Sequence, residues 1–224
     1  MRNFCLELHG RAAHSGLAFH QGRSAVGAAG AWIAGAAALS RPSGGPTVNL
    51  ARVVGGTRDL VQELTRDPQL LGSERLLNVV PEHALVEGEF RFLDPADGEA
   101  VHGALERLTT EIAAAHEVRA ELTFGAPVAP VPPAPGREEL ARRAAELAAR
   151  RGWQLEIERD RGGISFPNFL PAGLELPVLD GLGPAGGGMH TREEFVDLRS
   201  FARRIVLVAD LLAQLSDERS ESRV

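Results

Sequence analysis

The sequence has no lysine; all 24 of its basic residues are arginine. This excludes a Schiff-base lysine and a phosphate-loop lysine, and it reads as the codon bias of a GC-rich genome. There is one cysteine, Cys5, which rules out an internal disulfide and suits a reducing cytoplasm. No apolar run approaches the roughly 20 residues of a membrane-spanning helix. Met1 leads straight into Arg2-Asn3 and a strand-like run, not into the apolar centre of a signal peptide. No basic block stands out and the formal net charge is -6, which argues against nucleic acid as the main partner. With 224 residues and ordinary apolar content, the chain can hold one large domain or two small ones.

The clearest feature present is the stretch from Asp180 to Val196. The apolar run Leu176 to Leu179 leads in, and an amphipathic pattern from Leu198 to about Leu215 leads out. Between them lies a loop with five glycines and His190 near its end. A triple glycine costs conformational entropy, and close approach of the backbone to another group is one reason to have it. That makes Gly187 and Gly188 candidates for contact with a substrate. Taken alone, the stretch also reads as a long surface loop with an ordinary histidine.

Upstream, Asn3 to Leu8 reads as a strand, Ser24 to Leu39 as a helix with Ser24 as its cap, and Thr47 to Val54 as a second strand ended by Gly55-Gly56. Residues 57–77 form a charged insertion with some helical spacing. Val79-Val80 and Leu85 to Phe92 make the third strand, Asp97 to His116 an amphipathic helix, and Val118 to Phe124 the fourth strand. Strand, helix, strand, strand, helix, strand is the ferredoxin-like split βαβ arrangement. Residues 127–136 belong to a proline-rich connector, with five prolines between Gly125 and Gly136, and mark a domain boundary. The remainder reads as a helix (Arg137 to Arg151), a strand (Trp153 to Ile157), a glycine turn, a short helix from Phe166 to Leu170, a strand (Leu176 to Asp180) and the final helix. A polar, frayed tail covers 217–224. The fold class is therefore α/β: an α+β ferredoxin-like domain over 1–126 and a C-terminal α/β portion over 137–216.

Four motifs follow one another along this frame: Gly10-Arg11-Ala12-Ala13-His14-Ser15-Gly16 before a helix; Gly55-Gly56; Asn78-Val79-Val80-Pro81 before a strand ending in Arg91; and Gly181-Leu182-Gly183 through His190 to Glu194. In this order the chain resembles the dinuclear zinc amidohydrolases that include aminoacylase, acetylornithine deacetylase, succinyl-diaminopimelate desuccinylase and glutamate carboxypeptidase. The resemblance covers nearly everything except residues 57–77 and the tail. It implies that 1–126 is the lid that also dimerises and that 137–216 is the C-terminal part of the catalytic domain. The family's N-terminal part, with its His-x-Asp motif, bridging aspartate and paired glutamates, has no counterpart here.

The resemblance also assigns roles. His14 matches a lid histidine that crosses the dimer interface and donates to the developing oxyanion. Asn78 and Arg91 match positions that hold the substrate's carbonyl and carboxylate, with Arg159 or Arg161 a further carboxylate candidate. His190 matches the last zinc ligand. Local alternatives stand beside each: His14 bonded to nearby backbone, Asn78 as a turn residue, Arg91 paired with Asp94 or Glu89. Relatives carry a Ser-Asp-Gly-Asn run where this chain has Ser165-Phe166-Pro167-Asn168. A zinc site takes three or four protein ligands. His9, His14 and His20 are not spaced as ligand pairs, so zinc is expected only if a partner chain completes the centre.

The implied protein is part of an enzyme that cleaves N-acyl amino acids or small peptides, in the cytoplasm, with the metal-binding portion on a separate chain or with a homodimer through the lid. The alternative is a non-catalytic binding protein of the same origin. Neither nucleic acid nor membrane is expected as a partner.

Overall fold

The computed structural model describes residues 1–42, 44–66, 77–131, 134–159, 162–171 and 176–221. They cluster into two compact units, Met1–Pro130 with Asp160–Gly163, and Val131–Arg159 with Ile164–Val224. The division at Pro130/Val131 falls inside the proline-rich connector.

The first unit is a four-stranded antiparallel sheet of β1 (Arg2–His9), β2 (Thr47–Gly56), β3 (His83–Arg91) and β4 (Arg119–Phe124), in the order β2-β3-β1-β4. Two helices, α1 (Ala25–Ala37) and α3 (Pro95–His116), pack on it, and α2 (Arg58–Arg66) lies between β2 and β3 in the chain. This is the ferredoxin-like topology. Alternation builds its core: Phe4, Leu6 and Leu8 leave β1 on one face, and Ala84, Val86 and Phe90 do the same from β3. Trp32 of α1 and Leu105 of α3 close the core from above. Small residues on α1 (Ala25, Ala28, Ala29, Ala36) are fully buried and let the helix lie close to the sheet. Ser24 caps α1 by accepting from the Gly27 N–H at 2.9 Å, and Asp94 caps α3 by accepting from the Ala96 N–H at 2.8 Å.

Some boundaries differ from the sequence reading. The third strand begins at His83, and Val79 forms only an isolated bridge, to His14. Of the 57–77 insertion, 58–66 is helical and 67–76 lies outside the described residues.

The second unit holds α4 (Arg137–Arg150), a 3-10 turn over Phe166–Phe169, a two-residue hairpin of β5 (Gly186–Gly187) and β6 (Phe195–Val196), and α5 (Leu198–Glu221). Its core is small: Ala141, Ala144 and Ala148 of α4 face Leu207 and Leu211 of α5. The strands expected over 153–157 and 176–180 do not form. A strand exists only beside a hydrogen-bonding neighbour, and neither segment has one among the described residues. Helix α5 runs through Glu221, so 217–221 continues that helix. No helix among the described residues is long and apolar enough to cross a membrane.

Candidate functional site

In the first unit the His14 loop is sewn down on both sides. Arg11 and Arg23 exchange backbone hydrogen bonds at 2.9 Å, Gly10 N–H donates to Glu82 O at 2.7 Å, Ser15 N–H donates to Asn78 O at 2.9 Å, and Val80 N–H donates to Ala13 O at 2.8 Å. A Cβ on Gly10 would run into the Arg23 carbonyl, so only glycine lets the chain pass there. His14 and Asn78 are thereby brought side by side, both exposed.

The His14 ring has a defined orientation. Its Nδ1 accepts from the Gly16 and Leu17 N–H groups at 3.1 and 3.2 Å. An imidazole that accepts at Nδ1 carries its proton on Nε2, so His14 presents an N–H donor outward. The local backbone bonding that the sequence offered as an alternative is present, and it sets the tautomer that donation requires.

Arg91 is not part of that pair. It ends β3, eight residue steps from His83, about 26 Å at strand spacing. Its Nε donates to Glu89 Oε1 at 2.8 Å and its Nη1 to Gly162 O at 3.2 Å. Arg161 lies outside the described residues.

In the second unit, Gly187, Gly188 and His190 share the hairpin between β5 and β6. The close approaches of the glycines are to their own partner strand: a Cβ on Gly188 would meet Glu193 O at 2.7 Å. Gly188 has φ +66° and His190 φ +63°, and Thr191 bonds back to Gly188 O at 2.9 Å, closing a tight turn. A left-handed non-glycine residue is strained by about 1–2 kcal/mol. His190 is exposed and, among the described residues, belongs to no group of three ligating side chains. The described residues do not assemble a zinc centre around it. Phe166 and Phe169, in the segment that departs from the family's Ser-Asp-Gly-Asn run, are 92% and 68% exposed.

One group of three ligating side chains does occur among the described residues: Glu7, His9 and His83, with donor atoms within 4.8 Å of one another. Glu7 Oε1 lies 2.7 Å from His83 Nε2 and 3.3 Å from His9 Nε2, and the two imidazoles stack at 4.8 Å. Burial, then the Arg119 guanidinium, hold His9 below its ordinary value. Sequence spacing missed this set because His83 stands 76 positions from Glu7. The signal available was the Glu-x-His pair on a strand, which alternation turns to one face.

Residues 2–117, more than half of the chain, match the family described as the peptidase dimerisation domain (M20_dimer). No match was found among curated proteins. Among solved structures, the chain is similar to an aminopeptidase PepT from Bacillus cereus at 22% identity and TM-score 0.69, over 94% of this chain and 50% of that one. It is similar to a tripeptidase from Staphylococcus aureus at 18% identity and TM-score 0.71, again over 94% and 50%. An amidase of the hydantoinase/carbamoylase family from Burkholderia phymatum matches at 26% identity and TM-score 0.50, over 68% and 34%. The chain thus spans about half the length of the first two structures.

Proposed function

Since the chain belongs to the family of the M20 peptidase dimerisation domain, we propose that it is the lid and C-terminal part of a metal-dependent amide hydrolase acting on N-acyl amino acids or small peptides. Its metal-binding N-terminal portion is supplied from outside this sequence, on a partner chain. The lid pairs with a second copy through an open sheet edge, β2 or β4. A reducing cytoplasm suits its one cysteine.

The observation that carries this reading is the pinned His14 loop beside Asn78. An imidazole whose Nδ1 accepts from backbone and whose Nε2 carries the proton is a preorganised donor. Aimed at a carbonyl in a partner's cleft, it stabilises the oxyanion of a tetrahedral intermediate more than the ground-state carbonyl. Asn78 supplies a second polar contact to the same substrate. Arg91, remote from that pair within one copy, and Arg161 supply guanidinium groups for the carboxylate of a different substrate molecule, for which Arg91 must exchange Glu89. Gly187 and Gly188 offer backbone beside His190, whose strained turn is of the kind that accumulates at functional sites. His190 brings one imidazole to a zinc centre whose other ligands lie outside this sequence, so no hydrolytic step is assigned to the chain alone.

A second reading, a non-catalytic binding protein of this family, is favoured by Phe166-Pro167 and by the Glu89–Arg91 pair. The two readings part at His14. In His14→Asn the side-chain oxygen can still accept from the Gly16 and Leu17 amides while the Nε2–H donor is gone. In the enzyme completed by its partner, kcat should fall about 100-fold or more with KM little changed and zinc content constant. Unchanged kcat would reduce His14 to a loop residue and remove the support for a catalytic lid.

A further inference from the structure

The sheet face turned away from α1 and α3 carries a constellation that the hydrolase reading does not use. Leu6 and Leu8 enter the core, so Glu7 and His9 both leave β1 on the opposite face. His83 sits directly across from His9 on β3. Both strands are internal in the β2-β3-β1-β4 order, hydrogen-bonded on each side, so the three side chains rise from a rigid base. On the next strand over, His83 is opposite Gly56, and the space a side chain would take there is filled by Leu60 of α2, which covers that flank of the site. On β4, Arg119 stands opposite His9 and Glu121 opposite Glu7, and these two pair with each other.

We propose that Glu7, His9 and His83 form a binding site for a divalent transition cation, with Zn²⁺ the ion that suits two imidazoles and one carboxylate. Tetrahedral Zn²⁺ with ligand bonds of about 2.0–2.1 Å separates its donor atoms by about 3.4 Å. Glu7 Oε1 stands 2.7 and 3.3 Å from the two Nε2 atoms and all three donors lie within 4.8 Å of one another, so side-chain adjustments of about an ångström bring them to that spacing. His83 and His9 are 7% and 15% exposed and Glu7 37%, which leaves one open side for a fourth, exchangeable ligand. Both Nδ1 atoms are buried without a hydrogen-bond partner among the described residues. The acceptors that usually orient metal-bound imidazoles are missing among the described residues, which weakens binding by about 10–100-fold against a site that has them. The bound ion ties β1 to β3 and stabilises the sheet by binding only the folded state.

The test uses the full chain, stripped with a chelator and titrated with Zn²⁺ against a chromophoric competitor. One ion per chain, with a rise in the melting temperature on adding Zn²⁺, is expected. His83→Ala removes a buried ring and risks unfolding, so the deciding variants are Glu7→Gln and His9→Asn, with folding checked by circular dichroism. Each should weaken binding about tenfold or more and blunt the thermal shift, while His190→Ala leaves both intact. The proposal is overturned if the wild-type chain binds no stoichiometric Zn²⁺, if both deciding variants bind it as tightly, or if His190→Ala is the variant that loses it.

Discussion

Two single residues show how local chemistry holds each unit. Trp32 is fully buried, and its Nε1–H donates to Thr109 Oγ at 2.9 Å, while the Thr109 hydroxyl donates to Leu105 O at 2.7 Å. Thr109→Val keeps the shape and leaves the indole N–H without an acceptor, so the first unit should lose about 1–3 kcal/mol in urea denaturation. His190 is the opposite case. Its left-handed backbone is strained, and glycine adopts φ +63° freely, so His190→Gly should raise stability by up to about 1 kcal/mol while abolishing any contribution to a metal. A loss of stability would mean that the imidazole makes contacts worth more than the strain. The candidate residues were legible to different depths. His14, Asn78, Arg91 and His190 lie in motifs readable along the chain. The Glu7–His9–His83 set exists only once register places His83 opposite His9.

Among the elements, the ferredoxin-like set was readable because its helices and strands carry their own periodicity. Val101 and Leu105 of α3 fall on one face, and β1 alternates strictly. The segments 153–157 and 176–180 are as apolar as strands, yet none forms, since strand formation depends on a neighbour that local sequence does not contain. Helix α5 carries two apolar faces. Leu207 and Leu211 are buried against α4, while Leu198, Phe201, Ile205 and Leu212 form an exposed stripe at helical spacing. The α4–α5 pairing is reinforced at one end by Arg151, whose Nε and Nη2 donate to Asp210 at 2.6 and 2.9 Å. That hydrogen bonding holds the Asp210 carboxyl below its ordinary value. A lowered folded value gives stability that is present above the unfolded value and lost as pH falls through the folded one. Acid titration of helicity should therefore show the second unit loosening below the ordinary carboxylate range, and Asp210→Asn should flatten that dependence. The pair is solvent-exposed, so the effect is small.

At the scale of the molecule, the units are unequal. The first has a closed core of large side chains between sheet and helices, whereas the second, among the described residues, buries mainly alanines and two leucines. A domain with so little buried apolar area is marginal by itself. The chain spans about half the length of two structural neighbours, and under the proposed function the lid is self-sufficient while the C-terminal unit pairs with the portion that covers the outer stripe of α5. Amide hydrogen exchange of the full chain, read segment by segment, tests this most directly. Slow exchange is expected in β1, β3, α1 and α3, and exchange orders of magnitude faster across α4 and α5. Equal, strong protection in both units would contradict it.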